Sequence, residues 1–391
     1  MDWRYFDPET DQETATQLWH DVGWLNGHDA QARRGMEAYS NSGRGYVALV
    51  HDIPACFVFE SRGHFQYLGE ELTLSAISGV ATDRTGRKQG LASRLTEVAL
   101  VEAASAGVAL AGLSAFEQGF YDKLGFGMGS YEHLIRFDPA RLTVNDTVRP
   151  PHHVGLDQIE ALHGARCARK RFHGNVTLSH SGQTASTMLR SVNGFGLGYF
   201  DEGGETPSHC LWAGSEDAGA GPYFIQFMAW KTTAQFLELM GLIKQWGDQV
   251  RLVLMIEPAG MQLQDFIDRP IQSFTSTAGG KMATGCHARA NFQYRMLDLE
   301  ACIAATHLTG PPLAFNLVLS DPMTTRIAHD DVLSALSPWR GVGGSYRVQL
   351  GANSQIFPDR DPALPTLTAS VGAFTRMWMG VRPATGLAVS D

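Results

Sequence analysis

The sequence predicts an α+β protein made of two tandem mixed-sheet domains and a smaller α+β unit, and three observations predict it. Residues 1–140 read as strand, loop, helix and strand. Residues 141–292 repeat that order without repeating the residues, and residues 293–391 alternate strand-like stretches with a short helix near the end. At 391 residues, and roughly 100–200 residues to a domain, the chain has room for two to four domains.

Each element has a local reason. Residues 45–50 and 55–60 are apolar runs around a turn at 52–54, an antiparallel start, and residues 72–82 read as a third, longer strand. Leu91, Leu95, Val98 and Glu102 keep helical spacing, and Gly107 stands where that helix stops before a buried strand over 108–114. The run from Asp138-Pro139 to Pro150-Pro151, with Asn145-Asp146 inside it, interrupts helix and central strand alike and divides the first segment from the second. The middle segment then offers strands over 196–200, 210–213 and 223–230, a helix over 234–246 and a strand over 250–256. A Gly-, Thr- and Ala-rich run at 275–288 precedes an alternating stretch from Phe292. Residues 313–319, 346–350 and 366–369 read as strands before a helix over 371–379, with Trp339 and Trp378 as core.

Composition narrows the function classes. Hydrophobic residues are 44% and charged residues 18%, which argues against extended disorder and fibrous repeats. The net charge of −9 disfavours nucleic acid as a partner and favours the approach of a cation. Cys56, Cys167, Cys210, Cys286 and Cys302 are odd in number and form no C-x-x-C pair, a pattern of reduced thiols in a cytoplasm. No signal sequence and no apolar run long enough to span a membrane is expected.

The stretch that carries chemistry is GVATDRTGRKQGLASRL at 79–95, where a strand ends, glycines and cations follow, and a helix begins. The first amides of a helix lack intrahelical acceptors and sit at the positive end of its dipole, so the backbone from Lys88 to Ser93 suits a pyrophosphate. Arg84, Arg87 and Lys88 add positive charge there. The pattern is neither a P-loop nor G-x-G-x-x-G, and alone it also fits an ordinary solvated turn. Further along, Tyr121-Asp-Lys-Leu-Gly-Phe follows the buried strand.

The pairing of R-x-x-G-x-A at 87–92 with Y-x-K-L-G-F at 121–126 resembles the acyl-CoA-binding core of GNAT N-acetyltransferases. Over its full length the chain is similar to the Eis (enhanced intracellular survival) group, whose members join two GNAT-like domains to one resembling sterol carrier proteins. The resemblance implies acetyl-CoA as co-substrate, and the absence of a matching His, Cys and carboxylate set predicts no metal. It places Val80, Ala81 and Thr82 along the acetyl-pantetheine arm at a strand bulge, which Gly79 permits. By the same resemblance Arg87, Lys88, Gln89, Gly90, Leu91, Ala92 and Ser93 hold the pyrophosphate, and Phe116 and Glu117 flank the arm's far end. The middle segment lacks the Arg-x-x-Gly-x-Ala pattern, so one active site per chain is expected.

Acetyl transfer from a thioester requires a neutral amine, a polarised carbonyl and a proton for the departing thiolate. Tyr121, whose phenol keeps its proton at neutral pH, is assigned as general acid; the alternative is a tyrosine that only packs at the start of a short helix. The resemblance implies the C-terminal carboxylate, here of Asp391, as base. A water relay, His20, Asp21 and His28 are the alternatives. His152, His153, His173 and His180 lie in turn-rich sequence without a matching ligand set and read as solvated. Trp19, Val22, Trp24 and Leu25 read as core, with an acceptor pocket as the alternative. The expected acceptor is a primary amine on a cationic small molecule or a lysine side chain, and the resemblance implies a hexamer. The rival readings are a noncatalytic lipid- or acyl-CoA-binding protein and a transferase of another acyl group.

Overall fold

A computed structural model describes residues 2–25, 30–115, 117, 119–145, 147–201, 204–270 and 275–391. From the N-terminus run β1 (Trp3–Tyr5), α1 (Pro8–Asp21), α2 (Ala30–Ser40), β2 (Arg44–Val50), β3 (Ile53–Tyr67), β4 (Glu70–Thr82), α3 (Leu91–Ser105), β5 (Leu110–Ser114) and β6 (Gly127–Met128). Next come β7 (Glu132–Phe137), β8 (His152–Val154), α4 (Ile159–Cys167), β9 (Val176–Leu178), α5 (Ser181–Leu189), β10 (Phe195–Tyr199), β11 (His209–Ser215), β12 (Tyr223–Ala229), α6 (Thr233–Gln245), β13 (Val253–Ile256) and β14 (Gly285–Arg289). The last stretch holds β15 (Phe292–Met296), α7 (Leu299–Ala304), β16 (Leu313–Ser320), α8 (Pro322–Ala328), α9 (Asp331–Leu336), β17 (Gly344–Leu350), β18 (Gln355–Phe357), β19 (Thr366–Ser370), α10 (Val371–Trp378) and α11 (Ala384–Leu387).

The chain forms two compact units. One gathers Met1–Trp24, Gly43–Ser130 and Ala290–Asp391; the other gathers Leu25–Ser42 and Tyr131–Arg289. The first unit's large sheet runs β1-β2-β3-β4-β5-β15-β6, with β4 and β5 parallel around the crossover helix α3. A smaller sheet, β18-β17-β16-β19, belongs to the same unit. The second unit's sheet runs β14-β7-β13-β12-β11-β10-β8, with β12 and β13 parallel around α6. The strand, helix, strand order expected twice from the sequence is therefore present twice, as two α+β sheets of matching order.

One strand position departs from sequence order in each sheet. β6 and β7 are neighbours in the chain, as are β14 and β15, yet β7 pairs with β13 and β14 while β15 pairs with β5 and β6. Residues 132–137, grouped by composition with the N-terminal segment, thus complete the second sheet, and residues 292–296 complete the first. A strand pattern reports which faces are apolar, not which edge the backbone joins.

Apolar spacing explains the first unit's core. Leu91, Leu95 and Val98 of α3 bury against Tyr46, Val58 and Ile77 of the sheet, each buried aliphatic chain contributing about 1.5–3 kcal/mol. Met323, Ile327 and Leu333 from α8 and α9 complete the same core, so the C-terminal stretch is structurally part of the N-terminal sheet's packing. Helix ends follow local rules: Asp7 caps α1 ahead of Pro8, and Gly107 at φ +74 follows the end of α3.

Candidate active site

The end of β4 has the shape expected of the sequence around Gly79. Phe59 faces Ser78 while Phe57 faces Ala81, so β4 carries one extra residue between them, with Gly79 at φ +59. A glycine in the left-handed region is what such a bulge uses. Parallel pairing with β5 runs from Leu74 opposite Leu110 to Ile77 opposite Leu113 and stops there. Ala81 and Thr82 keep β3 on one side, Val80 lies in the bulge, and none of the three has a β5 partner on the other. The Thr82 hydroxyl donates to Cys56 Sγ at 3.2 Å.

The loop after β4 is built by its own side chains. Asp83 Oδ1 accepts from the Thr85 amide at 2.7 Å and the Thr85 hydroxyl at 2.6 Å, and Gln89 Nε2 donates to the Thr85 carbonyl at 2.8 Å. Gly86 is buried; a Cβ there would lie 2.9 Å from Leu91 Cδ1. Lys88 at φ +64 and Gly90 at φ +78 turn the backbone into α3. No side chain caps that helix, and among the described residues no acceptor meets the amides of residues 87–93. Arg84, Arg87 and Lys88 are exposed and make no ion pair among the described residues. The result is an open, positively polarised helix N-terminus on a protein of net charge −9.

The contrast with α6 is instructive. Its N-terminus is closed by a capping box: Thr232 Oγ1 accepts from the Gln235 amide at 3.2 Å, while Gln235 Oε1 accepts from the amides of Thr232 and Lys231 at 3.1 and 2.7 Å. Three donors that α3 leaves free are already used there.

Side chains of the first two turns of α3 are held by the C-terminal stretch. Arg94 donates to Asp330 Oδ1 at 2.6 Å, Ser93 donates to Glu97 at 3.1 Å, and Arg326 donates to the same carboxylate oxygen at 2.5 Å. Asp330 also caps α9. Sequence reasoning did not identify this support, because no local pattern links positions more than two hundred residues apart.

Tyr121 opens a single 3-10 turn, Tyr121–Leu124, that Gly125 ends at φ +83. Its ring is buried, edge-on to Phe120 at 4.8 Å and to Phe126 at 6.0 Å. Burial, then the repulsion of an ionised phenol by Cys56 and Glu117, pushes its pKa up to about 12. Burial likewise pushes the Cys56 thiol up to about 11. Glu117 is exposed, and Phe116 lies outside the described residues.

At the chain end, Asp391 is exposed, and its side-chain carboxylate accepts from the Ser370 amide at 2.8 Å and from the Ser370 hydroxyl. Ser370 caps α10, whose Val371 lies against the turn of Tyr121: a Cβ on Gly125 would come within 2.6 Å of Val371 Cγ1. His20 is half-buried, Asp21 is exposed and accepts from Gln17 at 2.8 Å, and His28 lies outside the described residues. Trp19 packs edge-on to Trp24 and Phe59 as core. His152, His153 and His180 are exposed, as read, but His152 and His153 stand in β8 rather than a turn, paired with Gly198 and Leu197; His180 caps α5 by accepting from the Gly182 amide at 3.0 Å. Backbone pairing overrode the loop-like composition around them. Among the described residues, no group of three or more His, Cys, Asp and Glu side chains is placed to hold a metal.

Residues 29–129 match the family model described as "Acetyltransferase (GNAT) domain". A probable N-acyltransferase from Enterococcus faecalis, a conserved protein of unknown function, is similar in structure with a TM-score of 0.76 at 17% identity, over 99% of this chain and 92% of that one. A GCN5-related N-acetyltransferase from Anabaena variabilis gives 0.76 at 13% identity, over 100% of this chain and 93% of that one. Eis1 from Mycobacterium abscessus gives 0.71 at 16% identity, over 100% of this chain and 92% of that one. No curated protein matches the sequence.

Proposed function

We propose that this chain, an acyltransferase with a GNAT-type domain, moves an acetyl group from acetyl-CoA to a primary amine of a cationic small molecule or a lysine side chain, by direct attack in a ternary complex. The observation that carries the reading is the open N-terminus of α3, set beside the unpaired end of β4. The amides of residues 88–93, with Arg87 and Lys88, receive the pyrophosphate. Val80, Ala81 and Thr82 hydrogen-bond the arm and polarise the thioester carbonyl, and their amides stabilise the oxyanion that forms as the amine attacks. Glu117 flanks the arm beyond.

Tyr121 supplies the proton to the departing thiolate. Its phenol, pushed up to about 12, is fully protonated at neutral pH. A thiolate has an ordinary pKa of about 8.5, and burial raises it, as burial raises the Cys56 thiol, which narrows its distance from the phenol. The C-terminal carboxylate of Asp391 is the proposed base. Its support is positional: the side chain of the same residue accepts from the Ser370 amide, and the next residue, Val371, lies beside Gly125 of the Tyr121 turn.

The resemblance to the Eis group further supports a sterol-carrier-like fold for the C-terminal domain, a hexameric assembly and a cytoplasmic setting, the last consistent with five cysteines free of disulfides.

The test is CoA release from acetyl-CoA with a panel of polyamines, aminoglycosides and lysine peptides, comparing wild type with Tyr121→Phe. The ring packing survives that substitution, so kcat falls by about 100-fold or more while CoA affinity by calorimetry is unchanged. Binding without turnover across the panel would remove the enzymatic assignment of Tyr121 and leave an acyl-CoA-binding protein.

A further inference from the structure

We infer that Gln293 and Arg295, on β15, are positioning residues that hold the turn of Tyr121 at the angle its proton transfer requires; the inference rests on the assignment of Tyr121 as general acid. Tyr121 and Leu124 are buried in the core, but the turn has few hydrogen bonds of its own to set its direction. Within it and at its end, the Gly125 amide reaches the Asp122 carbonyl at 2.9 Å and the Phe126 amide reaches the Tyr121 carbonyl at 3.2 Å. Two side chains of β15 grip it from beneath. Gln293, fully buried, donates from Nε2 to Asp122 Oδ1 at 2.8 Å, on the residue next to Tyr121. Arg295, fully buried, donates from Nη1 to the Leu124 carbonyl, on the last residue of the turn.

The anchor is itself fixed. Arg295 Nη2 donates to Asp321 Oδ2 at 2.8 Å, and Asp321 accepts from the amides of Met323 at 3.0 Å and Val342 at 2.8 Å. Stability alone is a poor reason for this arrangement. A buried ion pair roughly breaks even against an apolar replacement of similar volume. Gln293 Oε1, moreover, has no hydrogen-bond partner, a cost that an apolar side chain at the same place avoids. The polar groups do what apolar packing cannot: they set the direction of two specific backbone and side-chain groups flanking the phenol.

The experiment uses the full chain, acetyl-CoA and the best acceptor among spermidine, an aminoglycoside and a lysine peptide. Gln293→Leu is expected to lower kcat by about 10- to 100-fold, the scale of a small misplacement, with KM for acetyl-CoA within about 2-fold of wild type. Asp122 is exposed, so Asp122→Ala folds even if Gln293→Leu does not, and it is expected to reproduce the loss. Asp122→Asn, which keeps an accepting oxygen, recovers most of it. In a Tyr121→Phe background, Gln293→Leu or Asp122→Ala has no further effect. Unchanged kcat in both single variants, or an equally deep added loss on top of Tyr121→Phe, overturns the positioning role. A Tyr121→Phe enzyme that keeps wild-type kcat instead removes the assignment of Tyr121, and the inference with it.

Discussion

Replacing Gly90 with alanine separates two contributions that the open end of α3 combines. Gly90 sits at φ +78, ψ 7, and a Cβ added there meets nothing within 4 Å, so the cost of the change is conformational rather than steric. An L-residue in the left-handed region costs roughly 1–2 kcal/mol. The variant has two ways to meet it. It can keep the backbone, in which case stability falls by the whole amount and CoA binds as before. It can instead relax toward the extended conformation of most helix caps, which turns the amides that follow, lessens the loss of stability and transfers the difference to binding. The two losses, one read by urea denaturation and the other by calorimetric titration with CoA, are therefore expected to sum to about 1–2 kcal/mol; a loss wholly in affinity is about 5- to 30-fold. Gly90→Asn, whose side chain tolerates the left-handed region, is expected to lose less than half as much in total. A summed loss below about 0.5 kcal/mol in Gly90→Ala, or equal losses for Ala and Asn, would refute the reasoning.

Two further outcomes follow from the same structure. Thr232→Ala removes the capping box of α6 and is expected to lower stability by about 0.5–2 kcal/mol without altering CoA affinity, since that helix end holds its own donors; paired denaturation and titration check it. Asp11 is buried and would be raised by that burial, but Arg4, donating to its two oxygens at 2.6 and 2.8 Å, and the Asp7 amide at 2.9 Å hold its pKa below the ordinary value. Its ionised form therefore stabilises the fold above about pH 4, and that contribution is lost as pH falls through the depressed folded value. Asp11→Asn is expected to cost about 1–3 kcal/mol at pH 7 and progressively less in acid, as read from denaturation midpoints across pH.

The candidate site was legible where its requirements are local. Gly79 in a strand, the basic turn before Leu91, Gly107 after the helix and Tyr121 before Leu124-Gly125 each answer a backbone demand that a few neighbouring residues meet or fail to meet. The central strands of both sheets and the crossover helices α3 and α6 were readable from apolar spacing, and the middle segment was told from the first by its lack of an Arg-x-x-Gly-x-Ala pattern. What surrounds that site belongs to long-range pairing. Nothing in Phe292-Gln-Tyr-Arg-Met announces that it slots beside β5, or that Gln293 and Arg295 there meet the turn of Tyr121. Nor do Arg326 and Asp330 declare that they hold α3. Every backbone offers the same donors and acceptors along a strand edge, so the choice of neighbour is made by the packing of whole layers, and charged partners find each other only after that choice has been made.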